Sequence, residues 1–174
     1  MGRSVLRYLK DVSDQGIVVP TTYVFSRDPE RFLTKWPEFK TAEWLNFYKG
    51  NVLHYNTFPE ESDFSFIIHA AADSFDAPNW INRFDQILDG TRNILEWSSL
   101  NRKNRPRLLY ISSGSVYGSL LSSMSSFVET YQGAPDVTKS ESAYGNAKRA
   151  AEQLCSLFYA QGKVDPIIAR CFCF

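Results

Sequence analysis

Net charge is the first thing this sequence does without. Its 174 residues carry 19 Lys+Arg against 19 Asp+Glu, a formal balance of zero. A balanced chain has no broad electrostatic claim on DNA, RNA or an anionic membrane surface. Long apolar runs are lacking too. The longest, around residues 66–72, is far short of the ~20 residues that a bilayer-spanning helix needs. The opening MGRSVLRYLKDVSDQG has no apolar core of a secretory signal, and Leu6 stands where a myristoylation signal wants Ser or Thr. Cysteine is scarce and odd in number: Cys155, Cys171 and Cys173. Their spacing fits neither a C-x2-C metal pair nor a disulfide framework, so buried reduced thiols in a reducing, cytoplasmic compartment are expected. Only His54 and His69 represent histidine, and no cluster has metal-ligand spacing. Internal repeats and low-complexity tracts are absent as well.

What the chain does have is an ordinary globular composition. Hydrophobic residues are 44% and charged residues 22%, enough apolar content to build a core in one domain-sized chain. Aromatics reach 15%, which leaves some for a partner surface.

Periodicity then divides the chain. Val5, Leu6, Leu9 and Val12 share one face of a helix over 3–14, with Gly16 as its stop. Thr22–Phe25 is β-rich and ends at the polar Ser26-Arg27-Asp28-Pro29. Pro29 suits the first turn of a short helix running to Trp36. Asn51–Tyr55 reads as a second strand after Gly50. Phe66–His69 reads as a third, continuously apolar as in a sheet buried on both faces. Helical spacing runs through 80–100, at Ile81, Phe84, Leu88, Ile94, Leu95 and Trp97. Arg107–Ile111 is another buried strand, 119–141 a long Ser/Gly/Pro-rich loop, Tyr144–Tyr159 a helix, and Ile167–Arg170 a last strand. Alternation of strands and helices predicts a parallel sheet with helices on both faces. The chain opens on a helix and closes at a strand, so both ends read as cut.

Three segments carry chemistry. The strand 107–111 runs into Ser112-Ser113-Gly114-Ser115-Val116-Tyr117-Gly118. The helix at 144 opens with Tyr144-Gly145-Asn146-Ala147-Lys148. The strand 66–69 runs into Ala70-Ala71-Ala72. Tyr144 and Lys148, four apart on a helix, share a face. A phenol is a poor base at neutral pH, and a nearby ammonium favours its ionised form. Taken alone, the pair is more often a surface Tyr and Lys on an amphipathic helix.

With Gly90-Thr91-Arg92-Asn93 in the intervening helix, these motifs in this order resemble the extended short-chain dehydrogenase/reductase family, specifically its NAD-dependent nucleotide-sugar epimerase/dehydratase group. The resemblance covers nearly the whole chain. It implies a Rossmann-like doubly wound α/β fold, with residues 1–174 a partial NAD(P)-binding domain. It further implies that the first strand, its glycine turn and the C-terminal substrate region are lacking. It assigns Ser113, Tyr144 and Lys148 as catalytic: Tyr144 takes a proton from a sugar hydroxyl, Lys148 supports the phenolate, and Ser113 orients the same oxygen. It implies NAD or NADP as cofactor, a nucleotide-diphosphate sugar as substrate, and a possible homodimer through helices 80–100 and 144–159, with Trp97 and Tyr159 as anchors.

For the cofactor, the resemblance points to Gly2 as the last glycine of the phosphate turn and to Ser26 and Arg27 near the adenosine ribose. Asn51 and Val52 would flank adenine, and His69, Ala70 and Ala71 would line the cofactor path beside Tyr144 and Lys148. Arg27 suits a 2′-phosphate, or is a solvated loop residue. His69 suits a structural role more than a catalytic one. Gly114 and Ser115 replace the acidic pair of the group's 4,6-dehydratases, which favours an epimerase or keto-sugar reductase. The 31-residue separation of Ser113 and Tyr144 argues against a hydroxysteroid-type, non-extended short-chain oxidoreductase. A non-catalytic dinucleotide-binding fragment stays open. Ile87 and Cys173 stand where the family commonly has asparagine.

Overall fold

A computed structural model describes residues 2–60, 63–71, 79–100, 105–120 and 122–172. The chain forms two compact units, residues 1–60 and 61–174.

In the first unit, α1 (Gly2–Asp14) leads through a turn to β1 (Thr22–Ser26), α2 (Pro29–Lys35) and β2 (Leu45–Lys49). Gly16, at φ 78°, ends α1 in the left-handed region that glycine enters without steric cost. β1 and β2 pair in parallel, Thr22 opposite Leu45 and Ser26 opposite Lys49. Such a pair needs a crossover, and α2 supplies it. Asp28 caps that helix by accepting from the Arg31 N–H at 2.9 Å, and Pro29 occupies its first turn. Leu6, Phe39 and Leu45 are buried at the centre, with Val24, Phe32, Leu33, Trp36 and Phe47 packed around them.

The second strand corrects the sequence reading: it is Leu45–Lys49, and not Asn51–Tyr55. Leu45 and Phe47 have the inward places, so the core selects the earlier segment. Side chains take over the backbone at 51–57. The Asn51 Oδ1 accepts from the Leu53 N–H at 3.1 Å, and the Thr57 hydroxyl accepts from the Asn51 N–H at 2.9 Å and donates to the His54 carbonyl at 2.7 Å. Such local bonds compete with a strand ladder.

In the second unit, β3 (Phe66–His69), α3 (Trp80–Ser98), β4 (Arg107–Ser113), α4 (Ala143–Ala160) and β5 (Asp165–Cys171) form successive βαβ crossovers, and the sheet order is β3-β4-β5, all parallel. Asn79 caps α3, accepting from the Ile81 and Asn82 N–H groups at 3.1 and 3.2 Å. The α/β architecture with parallel pairing is Rossmann-like, as expected. Burial on both faces is not what β3 has. Ile67 and His69 point inward, but Phe66 is 73% and Ile68 47% exposed. β4 alternates likewise: Leu108, Tyr110 and Ser112 are buried, their neighbours less so. Side chains alternate across a strand, and α3 and α4 pack on the His69–Tyr110–Ser112 side, as the bonds of Thr91 and Glu152 below record.

Candidate active site

The carboxyl end of β4 and the first two turns of α4 build the site. β4 delivers Ser113, which leaves the strand and caps the 3-10 turn Gly114–Tyr117. The Ser113 hydroxyl accepts from the Ser115 N–H at 3.2 Å and lies 3.1 Å from the Ser115 hydroxyl. α4 enters through a second 3-10 turn, Ser140–Ser142, and places Tyr144 and Lys148 on its first two turns.

Lys148 is the anchor. Only 4% exposed, its amine donates to the Ile111 carbonyl at 2.8 Å, two residues before Ser113 on β4. The nitrogen lies 4.9 Å from the Tyr110 ring centroid and 5.9 Å from that of Tyr144. Burial pulls the amine down from 10.5 to about 8, with Cys171 and Glu152 acting against the drop. Desolvation disfavours the ammonium, which is why a buried lysine becomes easier to deprotonate. A second cation reaches the same phenol from α3: the Arg83 guanidinium, in a residue 6% exposed, sits 5.8 Å from the Tyr144 ring centroid and 5.6 Å from Trp80.

His69 is buried beside this group. Its Nε2 is 3.0 Å from the Thr91 hydroxyl, which donates to the Ile87 carbonyl. Burial first, and the charge of Lys148 second, hold its imidazole down to about 3, so the ring is neutral at pH 7. Tyr110, its ring tilted against that of His69 at 5.5 Å, has its phenol pushed well up by burial. Both are core groups. Ala70 and Ala71 follow on the exposed end of β3; Ala72 lies outside the described residues.

The other sequence-derived candidates belong to the first unit. Gly2 begins α1, with open space where a Cβ would stand. Ser26 ends β1, and its hydroxyl accepts from the Asp28 N–H at 3.3 Å. Arg27 follows it, exposed. Asn51 and Val52 come just after the carboxyl end of β2, in the turn described above. Cys155 is buried and free, Cys171 is half-buried and free, and Cys173 lies outside the described residues. Burial pushes the Cys155 thiol up to about 12. Trp97 is not available as an anchor: it is 9% exposed with its ring 5.5 Å from Phe64. Tyr159 stays 54% exposed, with the Arg105 guanidinium 4.5 Å from its ring. Among the described residues, no helix is long and apolar enough to cross a membrane, and no group of three or more His, Cys, Asp or Glu is placed to hold a metal.

Sequence reasoning passed over one cluster. Glu152, 8% exposed on the turn after Lys148, accepts from the Ser112 hydroxyl at 2.5 Å and from Arg170 of β5, whose Nη2 lies 2.8 Å away. That bond raises the Arg170 guanidinium above its ordinary value. The signal was there: 144, 148 and 152 recur every fourth residue, which on a helix is one face.

The model of the NAD dependent epimerase/dehydratase family matches residues 1–174. No curated protein matches the chain. Among solved structures it is similar to the dTDP-glucose 4,6-dehydratase of Bacillus anthracis in complex with NAD, with 21% identity, TM-score 0.74, and coverage of 98% of this chain and 50% of that one. It is similar to the UDP-glucuronic acid 4-epimerase of Bacillus cereus in complex with UDP-glucuronic acid and NAD, with 17% identity, TM-score 0.71, and coverage of 94% and 50%. It is also similar to RMD from Pseudomonas aeruginosa complexed with NADPH, with 23% identity, TM-score 0.63, and coverage of 87% and 54%. The chain thus spans about half the length of the structures it matches. At these identities the likeness is one of fold.

Proposed function

The chain belongs to the NAD-dependent epimerase/dehydratase family, and from that premise we propose that it is the NAD(P)-binding part of an enzyme that oxidises a carbon of a nucleotide-diphosphate sugar and reduces it again, or releases the keto sugar. The observation that carries this reading is the buried Lys148 amine, bonded at 2.8 Å to the β4 backbone two residues before Ser113, with Tyr144 one turn away on the same helix face.

Tyr144 is the proton acceptor for the sugar hydroxyl. Ser113 hydrogen-bonds that oxygen and orients it, releasing its contact with Ser115 to do so. Lys148, held by Ile111, favours the phenolate by its charge. Bound NAD(P) supplies the hydride acceptor and donor. Each unit, taken by itself, offers residues of the kind such a group takes. Gly2 leaves the first turn of α1 open, where helix-end N–H groups suit a phosphate. Ser26 ends β1, and Arg27, Asn51 and Val52 follow the carboxyl ends of parallel strands, where dinucleotides bind in open α/β sheets. His69, Ala70 and Ala71 end β3 in the same way, and the two alanines keep that edge clear.

Gly114 and Ser115 directly follow Ser113, and neither is an acid that would run elimination across neighbouring carbons. An epimerase or keto-sugar reductase is therefore favoured over a 4,6-dehydratase. The free thiols of Cys155 and Cys171 support a reducing, cytoplasmic setting. The exposed Ile81, Leu157 and Tyr159 on α3 and α4 support a homodimer through these helices.

Tyr144→Phe tests the reading. In the whole enzyme, with nucleotide-diphosphate sugars and NAD(P), turnover is expected to fall at least about a thousandfold while NAD(P) affinity measured by calorimetry stays within about threefold. Turnover near the parent rate would refute the assignment.

A further inference from the structure

Glu152 has no part in the chemistry just described, yet its carboxylate is tied to two strands. It is 8% exposed, one helical turn beyond Lys148. Ser112, the β4 residue directly before Ser113, donates to its Oε1 at 2.5 Å. Arg170 of β5 grips both oxygens, Nε at 3.1 and 3.3 Å and Nη2 at 2.8 Å. The same guanidinium lies 4.8 Å from the Tyr117 ring and donates to the Glu129 carbonyl at 3.4 Å. One carboxylate thus joins α4 to both strands it covers, at the level of the site.

We propose that Glu152 is a positioning residue for Lys148: through Ser112 and Arg170 it fixes the turn of α4 that carries Lys148 against β4, and it sets a buried negative charge one helical turn from the amine. Only the consequence for catalysis rests on the proposed function; the coupling of Glu152 to Lys148 stands apart from it.

The groups facing Lys148 can be named by element. β3 brings His69, β4 brings Tyr110, β5 brings Cys171, and α4 itself brings Tyr144 and Glu152, whose carboxylate Arg170 of β5 holds from the other side. Arg83 of α3 faces the Tyr144 ring from its other side. Among these described residues Glu152 is the one carboxylate. Burial acts to discharge Lys148, and Cys171 and then Glu152 act to keep its charge. Arg170 offsets part of that help, because it shares the carboxylate.

Opposite signs make the test sharp. In the full 174-residue chain, the Lys148 side chain is titrated through its 13Cε and 15Nζ resonances, assigned by their loss in Lys148→Arg. Glu152→Gln keeps the shape and the bond to Ser112 but removes the charge, so the Lys148 midpoint is expected to fall by about half to one pH unit. Arg170→Gln frees the carboxylate and is expected to raise it. If Glu152 merely held the helix down, Glu152→Gln would loosen α4, admit water, and move Lys148 up towards its ordinary value. An upward move, or none, overturns the proposal. Should Glu152→Gln fail to fold, the double variant with Arg170→Gln removes both charges of the buried pair together, an exchange that interiors tolerate. There a smaller downward shift is expected, and an upward one refutes. This titration is independent of turnover, so failure of the coupling and failure of the Tyr144 assignment are separately visible.

Discussion

Replacing Lys148 by methionine should stabilise this fold at neutral pH while removing the function proposed for it. The side chain is 4% exposed, and its amine is drawn from 10.5 to about 8, chiefly by burial. At about 1.4 kcal/mol for each tenfold loss of proton affinity, carrying the charge at pH 7 costs the folded state about 3 kcal/mol. Methionine keeps an unbranched stem of similar volume and removes that cost. It also forfeits the bond to the Ile111 carbonyl, worth about 1 kcal/mol. The net expectation is a gain of about 1–2 kcal/mol at pH 7.

The pH dependence carries the proof. Between about 8 and 10.5 the unfolded chain holds the Lys148 proton and the folded chain has released it, so parent stability rises with pH through this window. The advantage of the methionine variant should therefore shrink from pH 8 upward and reverse to a deficit of about 1 kcal/mol near pH 10.5. Cys155 and Tyr110, both pushed up by burial, act the other way, since their folded forms keep protons that the unfolded chain gives up. They do so equally in both proteins and cancel in the difference. Urea unfolding of the pair at pH 7, 8.5, 9.5 and 10.5 reads the effect. A difference that is flat with pH, or a variant less stable at pH 7, would refute the reasoning.

Three further outcomes are expected. Gly145→Ala should cost about 1–3 kcal/mol in urea unfolding, because a Cβ there would stand 2.6 Å from the Ser115 carbonyl and 2.7 Å from Pro135, and backbone cannot step aside as a side chain can. His69→Gln should flatten the acid limb of stability: the parent loses stability as pH falls from about 6.5 to about 3, since the unfolded imidazole takes a proton that the buried one refuses. A parent and variant that lose stability in parallel over that range would place the acid sensitivity elsewhere. Arg27→Ala should weaken NADP binding by about tenfold to a hundredfold and leave NAD nearly untouched; equal losses in calorimetry would make Arg27 a loop residue only.

Much of this protein is legible in the order of its residues alone. The alternation of apolar runs with helical spacing requires a parallel α/β arrangement, because consecutive parallel strands can be joined only by crossovers. Stops and first turns are local, so Gly16 and Pro29 act where a reader of the sequence would expect them, while the Asp28 and Asn79 caps are seen only in the folded chain. The four-residue spacing of Tyr144 and Lys148 puts them on one helix face in any fold that makes 143–160 a helix. Other features have no local cause. Whether 45–49 or 51–55 becomes the second strand depended on which segment could lend Leu45 and Phe47 to a core shared with Leu6 and Phe39. Trp97 reads as a surface anchor until Phe64, remote in sequence, covers it. Phe66 and Ile68 read as doubly buried, yet only contact from a packed layer buries an apolar side chain, and apolarity does not say which face receives one. The depressed basicity of Lys148 is likewise written in no motif. It arises because β3, β4, β5 and α4 close around one amine and exclude water, while Glu152, tied down by Ser112 and Arg170 from two other elements, is brought within reach of its charge.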